Sequence, residues 1–475
     1  MKAVQDTSAE ALMELLQRQR DDQRRSPADL PRRLADLEAI ESLLRDNEAA
    51  LTEAVAQDFG SRSPLETLIT DLATVVHEVR HMRSKLRRWM KPRRVATDWR
   101  FWPARNRLLR QPLGVVGIIS PWNYPINLAL VPLATALAAG NHVMLKPSEH
   151  TPATSQLLAE LLEQHFPQQR VAVIQGEADV AQRFSALPFD HLFFTGSTAV
   201  GRKVMQAAAE HLVPVTLELG GKSPAIIHSS YPLPAAARRI AVGKLLNAGQ
   251  TCIAPDYVLL PADRLDAFAA QIHTVINHSY PGGLGDNPDY TRIIHRGHYD
   301  RLRALLDDAR DKGARVIEIL PAGPEPMLKE KRVMPPTLVL DVTDDMALMQ
   351  EEIFGPILPI RAVNDLDQAI EYVNARPRPL ALYYFDHGRR RRQRLLRAIV
   401  AGGVCINDTV IHFIQKNQPF GGVGASGMGH YHGRWGFDSM TKAQPVFIQS
   451  RFNAARWLAP PYGKLAERLA RLLMR

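Results

Sequence analysis

The sequence predicts an α/β protein, and three observations lead there. From Leu113 onward, short apolar runs alternate with helix-like stretches, the pattern of a parallel sheet with helices on its faces. Hydrophobic residues make up 45% and charged residues 23% of the chain, globular averages that exclude a disordered or fibrous protein. At 475 residues the chain exceeds one ordinary domain, and about 150 residues per unit gives about three units.

Residues 8 to 90 read as helices. Ser26-Pro27 and Ser63-Pro64 each place a capping serine before a proline suited to the first helical position. Leu65, Leu68, Ile69, Leu72, Val75 and Val76 then recur at helical spacing as one apolar face. After Met90 the texture changes to KPRRVATDWRFWPARNRLLRQP, basic and aromatic around Pro103, which reads as a projecting hairpin or arm. GVVGIIS, HVMLK, VAVIQG, HLFFTG and PVTLELGG follow as buried strands ending in turns, with NLALVPLATALAAG and TSQLLAELLEQHF as helices between them. Composition shifts at Glu218-Leu219-Gly220-Gly221, the predicted domain boundary. A second α/β series follows, with AIIHSS, YVLLPA, TLVLDV and LALYYF as its strands.

Charge and cysteine usage narrow the function. Lys plus Arg is 59 against 49 for Asp plus Glu, a net charge of +10 that permits a polyanionic partner but is spread along the chain. The run GRRRRQRLLR lacks interleaved aromatics and reads as a solvated helix face, so no nucleic-acid partner is expected. Cys252 and Cys405 are the two cysteines, which excludes a disulfide scaffold and fits a reducing compartment. The N-terminus carries early acids rather than a signal-peptide core, and prolines and asparagines interrupt the apolar stretch from Leu113 to Leu145. A cytoplasmic enzyme is expected. Neither H-E-x-x-H nor a paired C-x-x-C occurs, so no metal site is expected.

Several residues then stand out. Cys405, in GGVCIND, reads as a small buried hydrophobe, whereas Cys252 follows a Gly-containing segment, NAGQT, and precedes the strand YVLL. Asn123, in PWNYP, directly follows a strand and so sits at a carboxyl end, where parallel α/β folds keep their sites. Its amide suits a developing oxyanion, or simply a turn. Glu218 ends an apolar strand, so its carboxylate needs solvent, an ion-pair partner or a reacting water; EEIFGP at 351–356 repeats that acid–apolar–turn theme. In FTGSTAVGRK, Gly196 and Gly201 nearly spell a P-loop, but Arg202-Lys203 breaks it. The helix opening at Ser197 still offers backbone amides to a pyrophosphate. GGVGASG holds a literal G-x-G-x-x-G at Gly422, Gly424 and Gly427, yet no strand precedes it, and it reads as a flexible loop.

Together PWNYP, LKPSE, FFTGS, LELGGKSP, NAGQTCIAPDYVL, EEIFGPILP and PFGGVGASGMGHYHG occur in the order seen in the NAD(P)-dependent aldehyde dehydrogenase superfamily. The resemblance runs from the N-terminal helices to about Gln449, and QTCIAPDYVL and GASGMGHYHG are similar to its class 3 branch, close to the coniferyl and fatty-aldehyde enzymes. It implies an aldehyde dehydrogenase-like fold: a Rossmann-like NAD(P)-binding domain over 1–92 and 112–219, an α/β catalytic domain over 220–435, and a small β oligomerisation arm over 93–111 and 436–455 that serves a homodimer. Residues 456–475 form a basic amphipathic tail. Its Leu465, Leu469, Leu472 and Leu473 share a helical face apart from Lys464, Arg468, Arg471 and Arg475, which suits either an anionic membrane surface or packing on the body or the partner subunit.

The resemblance also implies roles. Cys252 is the nucleophile, Asn123 and the Cys252 backbone N–H are the oxyanion donors, and Glu218 activates water. Lys146 and Glu149 contact the adenosine ribose, Gly196 and Ser197 lie by the pyrophosphate, and Glu352 holds the nicotinamide ribose. Phe354 packs beside the ring, and Trp122 joins the cofactor set. NAD is the expected cofactor, since Glu149 repels a 2′-phosphate, with NADP as the alternative. The expected substrate is a hydrophobic aldehyde, aromatic such as coniferyl or medium-to-long aliphatic, oxidised to its acid through a thiohemiacetal and a thioester. Two other readings compete: a CoA-acylating relative, against which Glu218 argues, and a non-catalytic nucleotide-binding or structural protein on the same scaffold.

Overall fold

The computed structural model describes residues 7–325, 327–451 and 460–474. Helices Ala9–Arg25, Leu30–Asp46, Glu48–Phe59, Pro64–Thr67 and Ala73–Trp89 make up the N-terminal region. The start expected at Ser26-Pro27 is corrected: Ser26 ends the first helix, and Asp29 caps the second by accepting from the Arg32 amide at 3.0 Å. Ser63 does precede Pro64–Thr67, but its hydroxyl donates to Asp289 rather than capping. A single π-turn at Leu68–Leu72 carries this short helix into the next. The extra residue in that turn breaks the predicted apolar face. Leu72 and Val75 are buried as expected, whereas Leu65 and Ile69 are exposed and Thr67 and Asp71 turn inward.

An antiparallel arm follows, β1 (Arg93–Val95) and β2 (Arg105–Pro112). The first large sheet begins with β3 (Val115–Ile119), β4 (His142–Lys146), β5 (Val171–Val173), β6 (His191–Gly196) and β7 (Val215–Leu219). These are parallel in the order β7-β6-β3-β4-β5. The chain runs outward from β3 to β5 and then crosses back to β6 on the other side of β3. That reversal makes a switch point between the carboxyl ends of β3 and β6, where such sheets open a crevice. Helix Asn127–Ala139 is buried along its whole length, as its apolar composition on every face requires.

The second sheet holds β8 (Pro224–Ile227), β9 (Tyr257–Leu260), β10 (Arg315–Glu318), β11 (Thr337–Leu340), β12 (Ile357–Ala362), β13 (Ala381–Phe385) and β14 (Gly403–Ile406), ordered β10-β11-β12-β9-β8-β13-β14. All pairs are parallel except the edge pair of β10 with β11. The chain then returns to the first sheet. β15 (Gly427–Met428) pairs antiparallel with β7, Gly427 opposite Glu218, and the Leu219 amide donates to the Ser426 carbonyl at 3.1 Å. The flexible-loop reading of GGVGASG is therefore corrected: the segment is clamped against β7, and a Cβ on Gly427 would stand 2.1 Å from the Leu217 carbonyl oxygen. β16 (Thr441–Ile448) pairs along the whole of β2 to complete a three-stranded arm, near whose tip Trp99 and Trp102 are exposed.

The tail forms helix Lys464–Leu473, with Leu465 and Leu472 exposed; residues 452–459, Arg475 and the Leu473 side chain lie outside the described set. Among the described residues no helix is long and apolar enough to cross a membrane, and no cluster of three or more His, Cys, Asp or Glu residues is placed to hold a metal.

Candidate active site

Asn123 sits just beyond β3, beside the switch point, and is 3% exposed. Its side-chain amide donates to the Gln250 carbonyl at 3.1 Å, which leaves its second N–H without a partner among the described residues, because an amide nitrogen carries two. The Asn123 carbonyl in turn accepts from Asn247 Nδ2 at 2.9 Å and Arg62 Nη1 at 3.2 Å.

Cys252 follows a sharply folded turn. Asn247, Ala248 and Gly249 all take left-handed backbone, with φ of 53°, 50° and 75°, a conformation that costs energy at the two non-glycine positions. Buried neighbours hold it there. The Asn247 amide donates to Glu66 at 2.9 Å, and Gln250 spans to the segment 292–294 by donating to the Arg292 carbonyl at 3.1 Å and accepting from the Ile294 amide at 3.0 Å. Thr251 Oγ1 lies 2.6 Å from the Tyr124 hydroxyl. An apolar funnel of about 200 Å³ leads to Cys252, lined by Ile69, Leu128, Val410, Ile411, Phe413 and Ile414 among others. The resting thiol is pushed up to about 12, chiefly by its surroundings of protein atoms and next by Glu352 and Glu218.

Glu218 is 3% exposed, and neither carboxylate oxygen has a hydrogen-bond partner among the described residues. Desolvation holds its carboxyl well above the usual range. Glu352, raised to about 8 mainly by desolvation and then by Asp256, likewise keeps Oε1 unpartnered. Its carboxylate lies over Gly220, where a Cβ would stand 1.9 Å from Oε2. Phe354 takes a left-handed φ of 57°. Its carbonyl accepts from His298 Nε2 at 2.8 Å, while Arg301 donates to the carbonyls of Ile353 at 2.9 Å and Glu352 at 2.6 Å. Lys222 ion-pairs with Asp256 and donates to the carbonyls of Leu348 and Glu351 at 2.7 and 2.8 Å. Trp122 meets Phe354 edge-on at 5.4 Å between centroids.

The other predicted positions line the carboxyl ends of the first sheet. Lys146 ends β4, is buried, and donates to the Pro147 carbonyl at 2.8 Å, with Glu149 3.4 Å away. Gly196 ends β6, and Ser197 caps helix Thr198–Ala209 by accepting from the Val200 amide. Thus the structure brings Cys252, Asn123, Glu218, Glu352, Phe354 and Trp122 to one centre, with Lys146, Glu149, Gly196 and Ser197 along the crevice. Cys405 is buried on β14, beside Tyr383 of β13.

Residues 1–446 match the family model described as the aldehyde dehydrogenase family. The chain belongs to the aldehyde dehydrogenase family. It is 53% identical over 441 residues to the "Probable coniferyl aldehyde dehydrogenase" of Pseudomonas aeruginosa, covering 93% of this chain and 91% of that one. The substrate-bound Staphylococcus aureus AldH superposes with a TM-score of 0.91 at 36% identity, covering 97% and 99% of the two chains. A Mycobacterium tuberculosis aldehyde dehydrogenase in complex with NAD+ gives a TM-score of 0.84 at 27% identity over 94% and 92%.

The fold of this aldehyde dehydrogenase also ties to the centre residues that its sequence does not single out. Arg62, Lys222, Asp256, His298 and Arg301 each bridge segments far apart in the chain, a property no local spacing announces. Lys222 and Asp256 do fall inside the quoted stretches LELGGKSP and NAGQTCIAPDYVL, and that position was the available signal. Tyr431 is fully buried, its hydroxyl has no hydrogen-bond partner among the described residues, and it feels the charges of Glu218 and Cys252.

Proposed function

We propose that this aldehyde dehydrogenase oxidises hydrophobic aldehydes, aromatic ones of the coniferyl type or medium-to-long aliphatic ones, to carboxylic acids with NAD, NADP being the secondary cofactor. The observation that carries the reading is the apolar funnel ending at Cys252, with an unbonded Glu218 behind it. The crevice fits a nicotinamide dinucleotide: the orphaned, buried Glu352 Oε1 is an acceptor for a ribose hydroxyl, and Lys146 with Glu149 stands at the end of β4 for the other ribose. When bound, that cofactor supplies the hydride acceptor.

Cys252 releases its proton to water entering through the funnel, and the thiolate attacks the aldehyde carbon to form a thiohemiacetal. The free N–H of Asn123 and the Cys252 backbone N–H receive the oxyanion, each donor contributing about 3 kcal/mol. Loss of hydride leaves the acyl group on Cys252 as a thioester. Glu218, free of hydrogen bonds and made basic by desolvation, takes a proton from the water that hydrolyses it. A buried carboxylate without partners is unfavourable for the fold, so its retention there supports a chemical role.

The test is a panel of aldehydes compared by kcat/KM with NAD and with NADP. Each methylene buried in the funnel contributes about 0.8 kcal/mol, so hydrophobic aldehydes are expected to exceed acetaldehyde by orders of magnitude. Equal kcat/KM across the panel would overturn the substrate reading.

A further inference from the structure

Arg62 is 1% exposed and lies one layer behind the catalytic centre. Its Nη1 donates to the Asn123 carbonyl at 3.2 Å and its Nη2 to Thr70 Oγ1 at 3.1 Å. It ion-pairs with Asp71 at 3.1 Å and Glu66 at 3.4 Å. The guanidinium carbon lies 4.9 Å from the Tyr124 ring centroid and 5.2 Å from that of Phe59. The two carboxylates reach outward in turn. Glu66 accepts the Asn247 amide at 2.9 Å, and Asp71 Oδ1 accepts the amides of Ile126 and Asn127 at 3.2 and 2.9 Å.

We propose that Arg62 is a positioning residue that fixes Asn123 and the adjoining funnel wall against the cysteine turn. The inference rests on reading Asn123 as an oxyanion donor. Asn123's own amide touches the cysteine turn at a single point, Gln250, so its peptide must be held from behind if the side chain is to keep its aim. Arg62 supplies that hold together with Asn247, on the same carbonyl. The planar fork matters here, because a guanidinium bonds a carbonyl, a hydroxyl and carboxylates in fixed directions and also stacks on a ring, which an ammonium cannot reproduce. A buried charge cluster is weak evidence for stability, since well-packed neutral residues often serve as well. Position is what this one fixes, at Thr70 and Tyr124 of the funnel wall as well as at Asn123.

Removing Arg62 alone would strand two buried carboxylates. The test is therefore Arg62→Met combined with Glu66→Gln and Asp71→Asn, which keeps the acceptors of the Asn247, Ile126 and Asn127 amides while removing all three charges. The readouts are the rate of the first-turnover NADH burst, NAD affinity and thermal unfolding. The expected result is unchanged NAD affinity with a burst rate lowered about 10- to 100-fold, and no further loss when Asn123→Ala is added beyond that of Asn123→Ala alone. A burst within about twofold of native, or losses that multiply in full, overturns the proposal. If Asn123→Ala by itself leaves the burst native, the oxyanion reading fails and the proposal fails with it. Should the neutral variant not fold, Arg62→Lys decides: a slowed burst at native NAD affinity supports the positioning role, and a native burst overturns it.

Discussion

Cys252, Glu218 and Glu352 form one electrostatic unit, because the two carboxyls raise the thiol and burial raises all three. Cys252 and Glu218 each gain their basic form as pH rises, so turnover is expected to climb with pH; a fall with rising pH in a steady-state pH profile would contradict the assignment. Cys252→Ala is expected to abolish aldehyde-dependent NADH formation. Glu218→Gln is expected to keep the initial burst and then stall as acyl-enzyme, which rapid mixing and mass spectrometry of the intact protein detect. Glu352 ionises near pH 8, and above that its charge holds the thiol up. Glu352→Gln should therefore speed alkylation of Cys252 by iodoacetamide above pH 8 and leave it unchanged below. Not all of these side chains were equally legible. Cys252 stood out because the chain has two cysteines and Cys405 lies in an apolar run, whereas Arg62 and Tyr431 acquire meaning only through neighbours distant in sequence.

At the scale of elements, strands buried on both faces were readable because they appear as uninterrupted apolar runs. Those that escaped have local reasons: β10 is a charged edge strand, β12 contains Pro359, and glycines open β14. The π-turn at Leu68–Leu72 was also invisible, since its sequence continues a helical pattern. It nevertheless faces Asp71 inward while leaving Ile69 at the funnel. The loop carrying Glu352 and Phe354 is tied down by His298, Arg301 and Lys222, and Gly220 gives Glu352 its place. Gly220→Ala is expected to displace that carboxylate and raise the Kd for NAD at least tenfold, roughly 1.4 kcal/mol, with little change in unfolding temperature; isothermal titration and thermal melts check both. For the tail helix, co-sedimentation of the full chain and of residues 1–459 with anionic vesicles separates docking on lipid from packing on a subunit, because equal partitioning removes the lipid reading.

At the scale of the molecule, the three-stranded arm projects Trp99, Phe101, Trp102, Phe447 and Ile448, all exposed in a single chain. Clustered aromatics of this kind favour association. We expect sedimentation to give twice the 53.1 kDa chain mass, and Trp102→Glu with Phe447→Glu to shift the population toward monomer; a native monomer would end the homodimer reading. The alternation of runs and helices foretold both sheets, but the return of Gly427–Met428 to β7 was hidden within a glycine-rich stretch. That return has a consequence for biosynthesis. The ribosome delivers the chain from its N-terminus, and early units fold as they emerge, yet the strand that pairs beside Glu218 emerges long after β7 itself. A nascent chain thus carries β7 with a bare edge until Gly427–Met428 has emerged, and the backing of Glu218 is completed only then.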